Sequence, residues 1–418
     1  MRLMVNFKMT KKVKNIMFLI LVCCFFGGIG LFNYSVDPYN VFHNKDYMNL
    51  SDVNAENILI KMKAYQDIRY DTVLIGNSEA GKMFDITKNI KHYFNCIFGF
   101  AGMLNYKNYY SLLTSYLKLH PETKNVIVVV SYTSFLEDEL IKIPDFTGKS
   151  YSLSEIIYLL WGDCTTGRSL NKFCDYILQK INRYKLFDSF SKNGDIENGQ
   201  IISDLYPEQI DGFNLDKEYL TQKLQNNINY LNKVFDLLDE KNISYTLILP
   251  PYNATFLALI NDNIEYNETF TNFIRYLTTK SDNIYDFALV NKYTTQDILS
   301  PQSYMYFNYN HPNFIWGSKI IKTLYYEDEA EPDIYIKLTK DNVEQVISEQ
   351  DVLLKKYKKD YSNTFEKFKK ESSEQENNFN PNKVRHIRYK DLPPEGVREM
   401  EYLDNKIREL EEQNNDRR

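Results

Sequence analysis

Two short stretches hold the residues best suited to chemistry. In DTVLIGNSEAG (71–81) an apolar, β-branched run of Val73, Leu74 and Ile75 stops at Gly76-Asn77 and delivers Ser78. A serine directly after a buried strand either caps the helix that follows or acts as a nucleophile. As a nucleophile it needs a base, because a serine hydroxyl is unreactive alone. The chain has five histidines. His43 follows an apolar N-terminal run, His92 and His120 flank predicted elements, and His386 lies near the C-terminus. His311 is placed differently: in YFNYNHPNFIWGSKII it stands at the predicted start of a helix. A lone histidine at a helix start is more often structural, but a serine at a strand's carboxyl end and a histidine at a helix start are expected on one sheet edge, the arrangement of a nucleophile and its base in acyl transfer. No CxxC pair or His/Cys cluster is present, so neither a metal nor a cofactor is expected. Cys164 and Cys174 can pair in an oxidising compartment or stay as free thiols.

Positioning these residues requires a sheet. TVLIG, YFNCIFGF, NVIVVVS (125–131), SYTLILPPY and NIYDF (283–287) read as strands. Those that are apolar on both faces are typical of parallel sheets covered by helices. Between them, NYKNYYSLLTSYLKLH, residues 220–242, residues 267–281 and residues 311–326 have helical spacing. Strand and helix in alternation predict an α/β domain, a three-layer α/β/α sandwich with a mostly parallel sheet, over residues 70–327. Residues 132–215 read as an insertion within it. In such sheets ligands gather at the carboxyl ends of the strands, which is where Ser78 emerges.

Ahead of this domain, residues 16–32 carry no charge and follow Arg2, Lys8, Lys11, Lys12 and Lys14. The run is just long enough to cross a bilayer. Residues 1–35 are therefore expected to form a cytoplasmic stub and one transmembrane anchor. Residues 36–69 read as a linker with a short helix. The basic flank places the N-terminus inside and the main domain outside. No small-x-small site follows, which favours an anchor over a cleaved signal peptide. Residues 328–418 are strongly charged and read as a helical, partly disordered tail. Within it Val343, Ile347, Leu354, Tyr357, Tyr361 and Phe368 follow a 4-3 spacing like that of a weak coiled coil. The formal net charge of −6 and the lack of a basic domain argue against nucleic-acid binding.

IGNSEA resembles the nucleophile block of the SGNH/GDSL hydrolase superfamily, and NYNHP resembles its last block, Asp-x-x-His. More of the chain resembles one membrane-anchored branch, which includes the D-alanyl transfer protein of teichoic acid synthesis and the alginate O-acetylation proteins. Asp37-Pro38-Tyr39 after the apolar run, Tyr70 to Ser78, Pro250 to Tyr252 and Tyr285 to Phe287 stand in that branch's order. The resemblance covers about residues 30–325. It implies an SGNH- or flavodoxin-like fold with Ser78 as nucleophile and His311 as base. It also implies an oxyanion hole containing the Ser78 amide and a glycine amide, here Gly102.

Two positions depart from the pattern. Asn308 stands where the family has the triad Asp, and an Asn can orient an imidazole but adds no charge. Asp286 is the alternative acid, with Asp297 behind it. After NVIVVVS the expected Asn is missing, which leaves Ser131 or Thr133 as substitute oxyanion donors. The resemblance implies an extracytoplasmic serine esterase or O-acyl/acetyltransferase acting on a cell-surface polysaccharide or teichoic-acid-like polymer. A transferase implies a membrane-bound O-acyltransferase partner to pass the acyl group across. The alternative, motivated by Asn308, is a catalytically degenerate SGNH-fold binding or assembly protein of the cell envelope.

Overall fold

The computed structural model describes residues 11–37, 72–84, 105–132, 153–162, 196–197, 200–203, 217–297, 311–326, 330–363 and 385–388, with scattered positions beside them. The chain separates into two compact units: Met1–Leu50 with Thr147–Asp188, and Ser51–Phe146 with Ser189–Arg418.

The first unit contains α1 (Lys11–Val36), a helix long and apolar enough to cross a membrane. It also contains α4 (Leu153–Trp161), which comes from the middle of the chain and packs on α1. Gly30 makes the approach close, because a Cβ there would lie 2.9 Å from the Trp161 ring.

The second unit is α/β. In chain order its elements are β1 (Thr72–Ile75), α2 (Ser78–Phe84), α3 (Tyr106–Leu119), β2 (Asn125–Val129), β3 (Ile196–Glu197), β4 (Gln200–Ser203), α5 (Lys217–Glu240), β5 (Ser244–Leu249), α6 (Ala254–Asp262), α7 (Ile264–Thr278), β6 (Ile284–Asp286), α8 (Phe314–Tyr325), β7 (Ile336–Leu338), α9 (Val343–Asp360) and β8 (Arg385–Arg388). The main sheet runs β1-β2-β5-β6-β7. Its first four strands are parallel and β7 is antiparallel to β6. β1 and the apolar residues of β2 are buried throughout, which accounts for their unbroken apolar runs. A second, antiparallel sheet joins β3, β4 and β8.

The helices of this unit bury stripes of helical period. On α5, Leu220, Asn227, Leu231, Val234, Phe235 and Leu238 face inward. Asn105 and Asn108 form a reciprocal capping box at the start of α3. Two expectations change. Residues 336–360 belong to the α/β body rather than to a tail: β7 adds the sheet's edge strand, and α9 packs on α6. The 4-3 spacing of α9 therefore serves this fold, with Val343, Val346, Leu354 and Tyr357 buried and the Tyr357 hydroxyl bonded to Thr255 Oγ1 at 2.8 Å. Residues 147–188 of the predicted insertion group with α1. The predicted strand YFNCIFGF, the linker helix before β1 and SSEQENNFNPN (372–382) lie outside the described residues, as does Cys164.

Candidate active site

β1, β2, β5 and β6 are parallel, so the residues that follow each of them collect along one edge. Ser78 comes from the edge of β1, Ser131 from that of β2, Tyr252 from that of β5, and Asp286 from the end of β6.

Gly76 brings Ser78 to its place. Gly76 ends β1 where a Cβ would lie 2.2 Å from Ala80 Cβ and 3.1 Å from Val129 Cβ. Close packing of α2 on the strands excludes a side chain there. The helix cap is Asn77 and not Ser78: the Asn77 Oδ1 accepts from the Glu79 N–H at 3.1 Å. The serine hydroxyl is left for other work.

His311 arrives from the opposite end of the sequence. It sits two residues before Asn313, the N-cap of α8, whose Oδ1 accepts from the Ile315 N–H at 3.0 Å. The Asn313 N–H donates to the Met305 carbonyl, and Tyr306 and Pro312 form an isolated β-bridge. These bonds fix the chain on both sides of the histidine. α8 then packs on α2 with almost no gap, because a Cβ on Gly317 would lie 2.1 Å from the Met83 carbonyl oxygen. Trp316, fully buried beside it, packs edge-on against Tyr293.

The outcome is a contact of 2.9 Å between Ser78 Oγ and His311 Nε2, across 233 residues of sequence. His311 is buried and Ser78 half-buried. For the serine to donate its proton to Nε2, the neutral imidazole carries its own on Nδ1. That is hydrogen-bond reach for a base and its nucleophile.

Directly behind Ser78 lies a polar cluster that the sequence did not single out as a unit. Glu79 is fully buried. Its Oε2 accepts from the Ser131 hydroxyl and, at 3.0 Å, from the Tyr252 hydroxyl. Ser131 Oγ accepts from the Asn77 side-chain amide at 3.0 Å, and Tyr252 Oη accepts from the Tyr132 N–H at 2.8 Å. The Tyr106 hydroxyl donates to the Ser131 carbonyl at 2.8 Å. The carboxylate thus ties α2 to the tips of β2 and β5. Burial, with the Glu79 charge adding to it, pushes the Tyr252 phenol well above its ordinary range. It acts here as a hydrogen-bond donor. The Ser131 hydroxyl proton is directed at Glu79.

Asp286 ends β6 on this edge. Its Oδ1 accepts from the Ala288 N–H at 2.8 Å, and its described hydrogen bonds do not include the histidine. Burial raises its carboxyl to about 7. Asn308, Gly102 and Thr133 lie outside the described residues. Among the described residues no group of His, Cys, Asp and Glu is arranged to hold a metal ion. Compared with family models, curated proteins and solved structures, the chain matches none.

Proposed function

We propose that this chain is a membrane-anchored serine esterase or O-acyl/acetyltransferase of the SGNH type, built on a three-layer α/β/α sandwich and acting outside the cytoplasm on an acylated cell-surface polymer. The carrying observation is the 2.9 Å contact between Ser78 Oγ and His311 Nε2. Each comes from a separate element, and each is held by caps and close helix contact.

In this reading Ser78 Oγ attacks the acyl carbonyl carbon while its proton passes to His311 Nε2. The imidazolium then protonates the departing oxygen, leaving an acyl-serine. Water or a sugar hydroxyl next gives its proton to His311 and takes the acyl group, His311 returns that proton to the departing Ser78 Oγ, and the protein is an esterase or a transferase respectively. The amides of Ser78 and Gly102 are the proposed oxyanion donors, and each such donor is worth about 3 kcal/mol in the transition state. Asn308 takes the orienting role without contributing charge. The basic residues before and at the start of α1 set the domain outside by the positive-inside bias. The acyl donor of a transferase then comes through a membrane-bound O-acyltransferase partner.

A fluorophosphonate probe tests the reading. Wild-type protein is expected to be labelled and Ser78→Ala not. Folded wild-type protein that takes no label favours the second reading, a binding or assembly protein that keeps the fold, which the Asn308 substitution supports.

A further inference from the structure

We propose that α4 lies in the lipid bilayer beside α1 as a non-spanning, lipid-facing shoulder on the anchor. The inference rests on the reading of α1 as a membrane span.

A helix on the surface of a soluble body turns its apolar stripe inward. α4 does the reverse. Leu159 is buried, while Leu153, Ile156, Ile157 and Trp161, spaced three, four and eight residues from the first, are exposed. Leu170 and Phe173 extend this surface, and Phe173 meets Phe32 of α1 edge-on with ring centres 5.7 Å apart. Single exposed apolar side chains are ordinary, but a stripe continuous with another apolar surface marks an interaction face. Here the neighbouring surface is α1 itself, with Phe18, Leu19, Leu21, Phe25 and Leu31 outward. No lysine or arginine occurs from residue 150 to 167, and those that follow, Arg168 and Lys172, lie beyond α4.

Two of the last four carbonyls of α4, and that of Gly162 just after it, are bonded inside the protein, as a lipid surrounding favours. The Tyr158 carbonyl accepts from the Gly162 N–H and the Thr165 hydroxyl, and the Gly162 carbonyl accepts from the Thr166 N–H and hydroxyl. The Leu160 carbonyl accepts from the side-chain amide of Asn33, a fully buried polar residue of α1, at 2.8 Å. That amide also reaches Thr166 Oγ1 at 3.0 Å. The Trp161 indole N–H donates to the Phe26 carbonyl at 2.8 Å. At a rise of about 1.5 Å per residue, Asn33 and Phe26 lie roughly 6 and 16 Å inside Asp37, the first charge after the span. The depth of these contacts favours acyl chains over water as the medium around α4. With only 9 residues, α4 does not cross.

Tryptophan emission reads this directly, since the chain has 2 Trp and the other, Trp316, is buried in the α/β unit. The full chain is reconstituted into phosphatidylcholine vesicles with brominated or plain acyl chains, beside Trp161→Phe and Trp316→Phe. The emission lost in Trp161→Phe, and kept in Trp316→Phe, is expected to fall at least two-fold in brominated lipid and to resist iodide in the buffer. Protein that floats with the vesicles but shows iodide-quenched, bromine-insensitive Trp161 overturns the shoulder alone, and leaves the stripe to water or to a protein partner. Protein that does not float overturns the span, and the shoulder with it.

Discussion

Gly317→Ala tests whether the packing of α8 on α2 sets the Ser78–His311 pair. The added methyl would start 2.1 Å from the Met83 carbonyl oxygen, a backbone atom that cannot swing aside. Ordinary van der Waals distance requires the two helices to part by about 1 Å, and such overpacking costs about 1–3 kcal/mol. Because α8 follows His311 and α2 begins at Ser78, most of that separation falls on the 2.9 Å contact. A misplacement of about 1 Å at reacting atoms costs on the order of 100-fold in rate. The assay is the rate constant for fluorophosphonate labelling, with the thermal midpoint measured in parallel. Gly167→Ala is the control, since nothing lies within 4 Å of its added Cβ. The expected result is labelling slowed by about 100-fold in folded Gly317→Ala and an unchanged control. A lowered midpoint with wild-type labelling would show that the glycine contact supports stability but does not position the histidine.

Asp286 predicts a pH dependence of stability. Its carboxyl keeps its proton to about 7 in the fold, against 3.8 ordinarily. The unfolded chain therefore binds fewer protons across that window, and stability falls as pH rises through it, by at most roughly 4 kcal/mol. Urea midpoints at pH 5 and pH 8 should show this fall, and Asp286→Asn should flatten it; an equal slope in the variant refutes the assignment. Tyr252→Phe removes a donor to Glu79 and leaves the buried Tyr132 N–H without its acceptor. It should cost about 1–3 kcal/mol of stability, and an unchanged thermal midpoint would count against the cluster as a tie between strand tips. Asn308→Asp should raise turnover of p-nitrophenyl acetate several-fold by adding the charge that stabilises the imidazolium. An unchanged rate in folded protein would mean that another group already serves His311.

What the sequence made legible follows from the range of the forces involved. The runs TVLI and NVIVV announce buried strands because burial on both faces acts on every residue of the run. His311 was legible from its place just before a helix whose apolar spacing is strong. The role of Asn77 as cap, with Ser78 free, was not legible, since either side chain can cap and only the contact across 233 residues decides. Glu79 reads locally as a favourable acidic residue in a first helical turn. Its burial depends on β1, β2 and β5 converging, and no local pattern encodes that. β7 was hidden for the same reason: three residues, IKL, in a charged context carry little signal until β6 supplies their partners.

The path of the chain through its two units has a consequence for shedding by proteases. An anchor fused to a domain by one linker is lost at a single cut. Here the chain passes between the units three times, after Leu50, after Phe146 and after Asp188. A nick in residues 51–71 breaks the first link, but the fragment bearing Ser78 keeps α4. That helix still grips α1 through the Asn33 bonds to Leu160 and Thr166 and the Trp161 bond to Phe26. With α1 in a bilayer, the cut protein behaves as a two-fragment complex and stays at the membrane. Release then demands two further cleavages, one on each side of the 147–188 segment.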